Sequence, residues 1–497
     1  QQGAPGTVWQ PDSSHGIRYD YGINSQYEVI LFKTNGNNLI LNSGGDILNS
    51  RSYYPAGALV KTVVKDENWN TASGSLHTVK EFKDLQGNII LKRSFVQGAT
   101  IDSLDTYYVY DDFNLLRYVL SPKAVVNIPT LTTVLYPNST VITGLCYYYK
   151  YDSRKRMIVK QLPGADSVLM VFDKRDRLVL IQDGNLRKDK NGNSLKRWQF
   201  TKYDRLNRPV LTGILTYGSD LSQAQMQSII DNAYSGGSPR TYFIDRNTSL
   251  SSTLGFTDSS FPNSSDGSLE YLTATYYDNY SFPDSISFNA AFKISNYADN
   301  EGNYNYFDDL TGMVAGIKSK VFGTQNYVTA TTYYDDKYRV IQSLKNIYDD
   351  NEGLEIISNR YDFINNLLQS NKMQYFGGDT VLVKEFFTYD PQGRMTKAEH
   401  QINNNSRVTM SELSYNEIGQ LIDKKINKMG STYLHETGFR YNIRGWLTEI
   451  NDPANLGSDL FSMKLLYNDP GELTNLTTQK QYNGNISGII WNRKISD

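Results

Sequence analysis

The chain has 497 residues, with 50 Lys plus Arg against 52 Asp plus Glu, a formal charge of −2 and an isoelectric point near 6.2. That balance excludes a nucleic-acid wrapper, which needs a basic surface to neutralise phosphates. Mean hydropathy is −0.50 and the longest apolar runs, such as Val168 to Phe172, are only strand length, so no membrane span of ~20 residues is expected.

Tyrosine is the outlier, with 38 Tyr against 20 Phe and 5 Trp. Together with abundant Gly, Asn, Asp and Thr, this favours strands and tight turns, so an all-β chain is expected. Cys146 is the single cysteine, which excludes an intrachain disulfide and a multi-cysteine zinc site. Its setting, Gly-Leu-Cys-Tyr-Tyr-Tyr, reads as a strand carrying a small buried apolar residue. His15, His77, His400 and His435 are scattered and form no His-x-x-x-His pair, so neither metal nor cofactor is expected.

The first segment, 1–105, opens Gln-Gln-Gly with no basic and apolar leader before it, so a processed or excised product is expected. Gly/Asn/Ser-rich turns at Asn35–Asn38 and Asn42–Gly45 separate short strand-like runs, which suggests a β cap. No clear internal repeat is seen there.

From 106 to 213 a motif recurs: Tyr110-Asp111, Tyr151-Asp152-Ser-Arg-Lys-Arg156, Phe172-Asp173-Lys-Arg-Asp-Arg177 and Tyr203-Asp204-Arg-Leu-Asn207-Arg208. The Asp after the aromatic residue can bond its own backbone two residues on and start a turn. Four residues after the Tyr, Asn114 and Asn207 suit a positive φ, as a tight hairpin requires. Asp183–Asp189 lacks the terminal Glu of an EF-hand and reads as a hairpin tip, and the basic run Lys188–Lys196 as a solvated turn.

Residues 214–330 interrupt the period. Ser219 to Tyr234 reads as a helix, with Ser222 and Gln225 in capping-box spacing, Leu221, Met226, Ile229, Ile230 and Ala233 as its apolar set, and Gly236-Gly237 as its stop. The Ser/Thr/Asn/Asp-rich stretch 247–268 reads as a surface loop.

From 331 to 497 the motif returns with regularity. Tyr334-Asp335 with Arg339 and Tyr361-Asp362 with Asn365 lead into Tyr389-Asp390-Pro-Gln-Gly393-Arg394. Tyr415 with Gly419, Tyr441 with Gly445 and Tyr467 with Gly471 then follow at a period of 26 residues. Before each Tyr, apolar residues alternate, as in Val381, Val383, Phe387 and Tyr389, which marks a strand with one apolar face. Each repeat is therefore strand, turn, strand, turn. A four-stranded propeller blade needs about 40–50 residues, so 26 is too short for one. Hairpins joined edge to edge give one antiparallel sheet, which coils because strands twist, into a spiral or hollow barrel.

Tyr-Asp-x-x-Gly-Arg-apolar at this spacing resembles the YD repeat of bacterial rearrangement-hotspot (Rhs) proteins, found also in the B and C components of insecticidal Tc toxins and in animal teneurins. The resemblance covers about 100–497 and is best from 330 onward. The stretches 203–213 and 332–342 further resemble Rhs-like proteins of Bacteroidetes-type bacteria. It implies a β-hairpin spiral forming a hollow cocoon with one short helical insertion, a non-enzymatic shell around its own C-terminal passenger, often a toxin. It also implies structural roles for the motif Tyr, Asp, Gly and Arg residues named above. The Arg position becomes Gln420, Trp446 and Glu472 late in the chain, so the bonds of that Arg do not carry over there. The family's self-cleaving aspartates are not found before Asp497, so the passenger is expected beyond it.

Paired acids at Asp111/Asp112, Asp335/Asp336 and Asp349/Asp350 raise a glycosidase reading, but the first two pairs fall in repeat turns. No Gly-x-Ser-x-Gly or phosphate loop is present. The expectation is an exported, non-enzymatic shell with a passenger or separate cargo as partner and no nucleic acid. The rivals are a cell-surface adhesin or motility-related protein, and a type IX secretion substrate held by its export machinery.

Overall fold

Alternating apolar and polar residues leave a strand with two different faces, and the chain satisfies them by antiparallel pairing of neighbours in sequence. The computed structural model describes residues 5–10, 15–42, 44–98, 100–129, 132–235, 238–294, 306–347, 353–469, 471, 473 and 479–494. Gly236-Gly237, Asp349/Asp350, Glu472 and Asp497 lie outside the described residues. The protein is mostly β, with a large antiparallel sheet and few helices. Among the described residues no helix is long and apolar enough to cross a membrane.

The chain divides into two units: Gln1–Met170 with Gln182–Asn185 and Arg440–Asp497, and Val171–Ile181 with Leu186–Phe439. In the first, Arg18–Ile23, Val60–Lys65, Thr78–Lys83, Ile89–Gln97, Ile101–Tyr110, Leu116–Leu120, Cys146–Tyr151 and Met157–Gln161 form an antiparallel ladder in that order. The strands Leu447–Ile450, Phe461–Leu466 and Gly488–Arg493 form another. Strands of the expected cap thus belong to the same ladder as the first repeats.

The core of this unit gathers Val29, Leu39, Leu59, Phe82, Leu91, Tyr107, Tyr118, Leu120, Ala124, Ile142 and Cys146, all buried. Two short helices supply part of it, a departure from the single helix expected. Ser121 caps Pro122–Asn127 by accepting from the Ala124 amide, with Pro at the first turn, and Thr140–Leu145 follows Ser139. Cys146 is fully buried, and burial pushes its thiol pKa up to about 12.

In the second unit the ladder runs from Leu178–Gln182 through Arg197–Tyr203, Pro209–Thr216, Ser268–Asp278, Leu310–Lys320 and Tyr327–Tyr334. It continues through Val340–Asn346, Leu354–Tyr361, Leu367–Phe376, Asp379–Tyr389, Met395–Ile402, Val408–Tyr415 and Leu421–Met429 to Thr432–Tyr441. The helix read from Ser222 is present as Gln223–Ala233, with the Ser222–Gln225 capping box formed.

The polar stretch 247–268 is not the surface loop expected. Its Leu254, Phe256, Ser260 and Phe261 are buried. Leu254 and Phe256 pack with Ile244 and Phe282 against Leu211, Ala274, Tyr276 and Ala315 of the sheet. Rings of Phe256, Tyr276 and Phe282 stack with centroids 5.4 Å and 4.4 Å apart. Gly316 permits this: a Cβ there would sit 2.1 Å from the Phe282 ring. The insertion is a second layer, and polar composition hid the few large side chains that anchor it.

Candidate functional site

The motif turns share one geometry. In the copy at Tyr389, the Asp390 Oδ1 accepts the Gln392 and Arg394 amides at 3.0 and 2.9 Å. Its Oδ2 accepts Arg394 Nε at 2.6 Å. The same double capture and ion pair join Asp152 to Arg156, Asp173 to Arg177, Asp204 to Arg208, and Asp335 to Arg339. Burial works against the charge on Asp152, but the amides and the Arg156 guanidinium outweigh it and hold that carboxyl below its ordinary pKa.

Positive φ stands at the fourth position after the aromatic residue, in Gly393, Gly419, Gly445 and Gly471 and also in Asn114, Asn207 and Asn365. Lys155, Asp176 and Tyr338 adopt it as well, with φ of 63°, 63° and 57°. A residue with a Cβ is strained there, so the Asp bonds, and not residue type alone, set the turn. In the copy at Tyr467 the cap shifts by one residue, with the Gly471 amide donating to Asp469 at 3.0 Å.

The motif tyrosines tie one hairpin to the next. Tyr151, Tyr203, Tyr361, Tyr389, Tyr415 and Tyr467 donate to the carbonyls of Leu116, Leu178, Val340, Leu367, Met395 and Leu447, at 2.7 to 3.1 Å. Each acceptor is the sixth residue after the preceding motif aromatic. Tyr334 donates to Val314 at 2.8 Å, and Tyr441 ends the strand Thr432–Tyr441. Replacing Tyr415 by Phe should cost about 1 kcal/mol, the net worth of one such bond, measured by urea unfolding. A cost near zero would show that the hydroxyl contributes nothing.

The arginines make a second tie. Arg177, Arg208, Arg339 and Arg394 lie over the rings of Tyr203, Tyr277, Tyr361 and Tyr415, 4.3 to 5.3 Å from the centroids. Arg339 also donates to the Asp362 carbonyl at 2.7 Å and Arg394 to that of Asn416 at 3.3 Å. In two late copies both partners change, Asn416 standing with Gln420 and bonding it at 2.8 Å, and Asn442 with Trp446, whereas Asp362 keeps its acid opposite Asn366, bonded at 2.9 Å. Trp446 replaces cation with ring, packing on Tyr467 at 5.0 Å.

Two further turns of this kind lack the motif aromatic, the second within the run Lys188–Lys196 read as a solvated turn. Asp84 accepts the Gln86 and Asn88 amides, and Asp189 those of Asn191 and Asn193, with Gly87 and Gly192 at positive φ. Lys83 and Lys188 stand where Tyr is expected, so the aromatic signal was missing. Tyr277-Asp278 has the residues of the motif but not its turn: the Asp278 carboxylate accepts the Gly312 amide at 2.8 Å and the Arg208 guanidinium at 2.8 and 2.6 Å. That guanidinium lowers the Asp278 pKa and its own is raised in return.

Asp111 and Asp335 each accept two turn amides on Oδ1 and an arginine, Arg117 or Arg339, on Oδ2, as a structural turn requires. His435 sits half-buried on its strand opposite Ile426. An open depression of about 400 Å³ is lined by Arg246, Asn247, Thr248, Thr257, Asn279 and Ser281. Its Arg246 donates to the carbonyls of Tyr277, Asn279 and Ser281, which pins the loop. Among the described residues no group of three His, Cys, Asp or Glu is placed to hold a metal.

No family model matches this chain, and no curated protein does. Solved structures do. The complex titled TcdB2-TccC3-Cdc42 is similar over 98% of this chain at 12% identity, with a TM-score of 0.32. TcdB2-TccC3 without its hypervariable C-terminal region is similar over 90% at 13% identity and 0.31. A Tc holotoxin pore of Photorhabdus luminescens is similar over 82% at 13% identity and 0.25. The chain spans 21%, 20% and 25% of those chains.

Proposed function

We propose that the chain is a wall segment of a YD-repeat shell, exported and non-catalytic, that encloses or presents a passenger. The observation that carries this reading is the stretch from Asp379–Tyr389 to Thr432–Tyr441. Apart from Thr409, no residue of its five strands is buried, and both faces stay half-exposed. Such a sheet has no core of its own. Cross-strand pairs hold it, as in Lys425–Glu436 at 3.3 Å and Lys428–Glu412 at 4.0 Å, with the turn ladder along one edge. A sheet built this way is a wall, and a wall suits separation of two spaces. The Rhs and Tc-toxin resemblance supplies the rest of the proposal: a coiled cocoon, a C-terminal cargo and a secreted, Bacteroidetes-type source.

A surface-binding role is the second reading. It is favoured by apolar side chains at exposed turn tips, among them Phe113, Leu206, Phe363 and Ile418, 69 to 80% exposed. Intact mass and limited proteolysis of the protein from its native host separate the two. A protease-resistant shell of at least 56.5 kDa retaining a further or cleaved segment is expected. Loss of every co-purifying segment under native conditions would sink enclosure and leave the surface reading.

A further inference from the structure

Within the first unit, the start of the chain is held by its end. Thr7–Trp9 forms a single 3-10 turn, with the Trp9 amide bonded to the Gly6 carbonyl at 3.1 Å. Trp9 is 4% exposed. Its indole meets Trp446 edge-on at 5.8 Å and Tyr482 at 6.2 Å, and its Nε1–H donates to the Tyr482 carbonyl at 2.8 Å, 473 residues away. The Arg444 guanidinium lies over both indoles, 5.1 Å from Trp9 and 4.8 Å from Trp446. Gly6 has φ 105°, and a Cβ there would meet the Trp9 ring at 2.7 Å and Ile443 at 3.2 Å.

A second set of contacts lies beside the first. His15 stacks on Tyr482 with centroids 3.3 Å apart and donates from Nδ1 to the Glu67 carbonyl at 2.9 Å. Asn68 donates to Gln481 at 2.6 Å and accepts the Tyr482 amide at 2.5 Å, and Asn483 donates to Asp66 at 3.2 Å. Glu67 lies 3.5 Å from Arg444.

Three features mark this as a joint that opens. Its first anchor is the single 3-10 turn Thr7–Trp9, which carries one large side chain. The partners of the Trp9 indole belong to the last repeats, at the position where the ladder has exchanged Arg for Trp446. Closure also carries a penalty: Arg444 Nη1 is buried with no hydrogen-bond partner among the described residues, and water would satisfy it on opening. Small, locally anchored elements with an unmet polar group open at free energies below that of global unfolding.

We propose that Pro5–Gln10, with His15, is a detachable clasp whose indole docks on Arg444, Trp446 and Tyr482, and that its release frees the strands Phe461–Leu466 and Gly488–Arg493 while the second unit stays folded. That release would let an enclosed segment leave is a corollary that rests on the shell reading. The clasp itself does not.

The test is hydrogen exchange followed by mass spectrometry on the full chain, comparing wild type with Trp9→Ala and with Gly6→Ala, which keeps the indole but crowds its seat. Loss of a buried indole should speed exchange of the amides at 443–446, 466–467 and 481–493 by about 100-fold or more. Exchange in 335–441 should not change. Unchanged exchange at the last repeats, or equal acceleration through 335–441, would overturn the clasp. If Trp9→Ala does not fold, wild type in sub-denaturing urea supplies the answer. The Trp9 indole and the Tyr482 amide should then exchange together, ahead of the amides of Phe386–Tyr389. Exchange of both only with global unfolding would overturn the proposal. Neither readout depends on a passenger, so enclosure can fail while the clasp stands, and the reverse.

Discussion

Asp173→Ala should destabilise the second unit by about 3–5 kcal/mol, the loss expected when one partner of a buried ion pair is removed. Asp173 is 1% exposed, and its oxygens accept the Arg175 and Arg177 amides at 2.9 and 3.0 Å, and Arg177 Nε and Nη2 at 2.8 and 2.6 Å. Removing the carboxylate strands the guanidinium, whose side chain is only 10% exposed. Arg177 also reaches Asn207 at 2.9 Å and the Tyr242 carbonyl, so its displacement loosens the next turn and the insertion together. Asp390→Ala removes the same bonds at a wetter turn, where the Arg394 side chain is 29% exposed, and should cost distinctly less. Urea unfolding of both variants decides the matter. Equal losses would show that the turn amides and not the buried pair carry the energy. The pair Asn416→Asp with Gln420→Arg supplies the converse check, because together they rebuild the missing pair. They should stabilise more as a double than as the sum of singles, a coupling of about 0.5–3 kcal/mol.

The turn was legible because its chemistry is local. Tyr389, Asp390, Gly393 and Arg394 lie within six consecutive residues and act on one another, so a repeat betrays them. Where the same turn lacks its aromatic, at Lys83 and Lys188, the Asp84 and Asp189 caps form all the same and the sequence pattern does not announce them. The insertion was misread for a different reason. Its burial rests on a few side chains, Leu254, Phe256 and Phe261, set among Ser, Thr and Asp, and average composition followed the majority. The clasp lay furthest from reach. Trp9 looks like any aromatic in an N-terminal segment, and Trp446 like a lapse in a motif; only the fold shows that they meet.

Raising the pH from 10 toward 12 should unfold both units, with a larger effect than any single substitution. Burial raises the pKa of Tyr54 and Tyr234 to about 12, first of all by desolvation of the phenolate. Tyr107 and Tyr118 in the first unit and Tyr271, Tyr276 and Tyr280 in the second are raised further, again by burial first. A phenol with a raised pKa keeps its proton in the folded chain at a pH where the unfolded chain has lost it. Stability is therefore fully present below the unfolded value of about 10 and falls as pH rises toward the folded value. At about 1.4 kcal/mol per pH unit, Tyr54 and Tyr234 each forfeit roughly 2–3 kcal/mol by pH 12. Several such groups together exceed the ~5–15 kcal/mol that holds an ordinary domain. Cys146 starts the decline earlier, because an unfolded thiol ionises near 8.5, so Cys146→Val should flatten the curve between pH 9 and 10. Phenolate absorbance at 295 nm, followed with circular dichroism, reads the outcome. A steep ionisation step that coincides with loss of the sheet is expected. Tyrosines that ionise gradually near pH 10 while the sheet persists would show that their rings are wet, and that the packing around Tyr107, Tyr118 and Tyr276 does not hold the layers together.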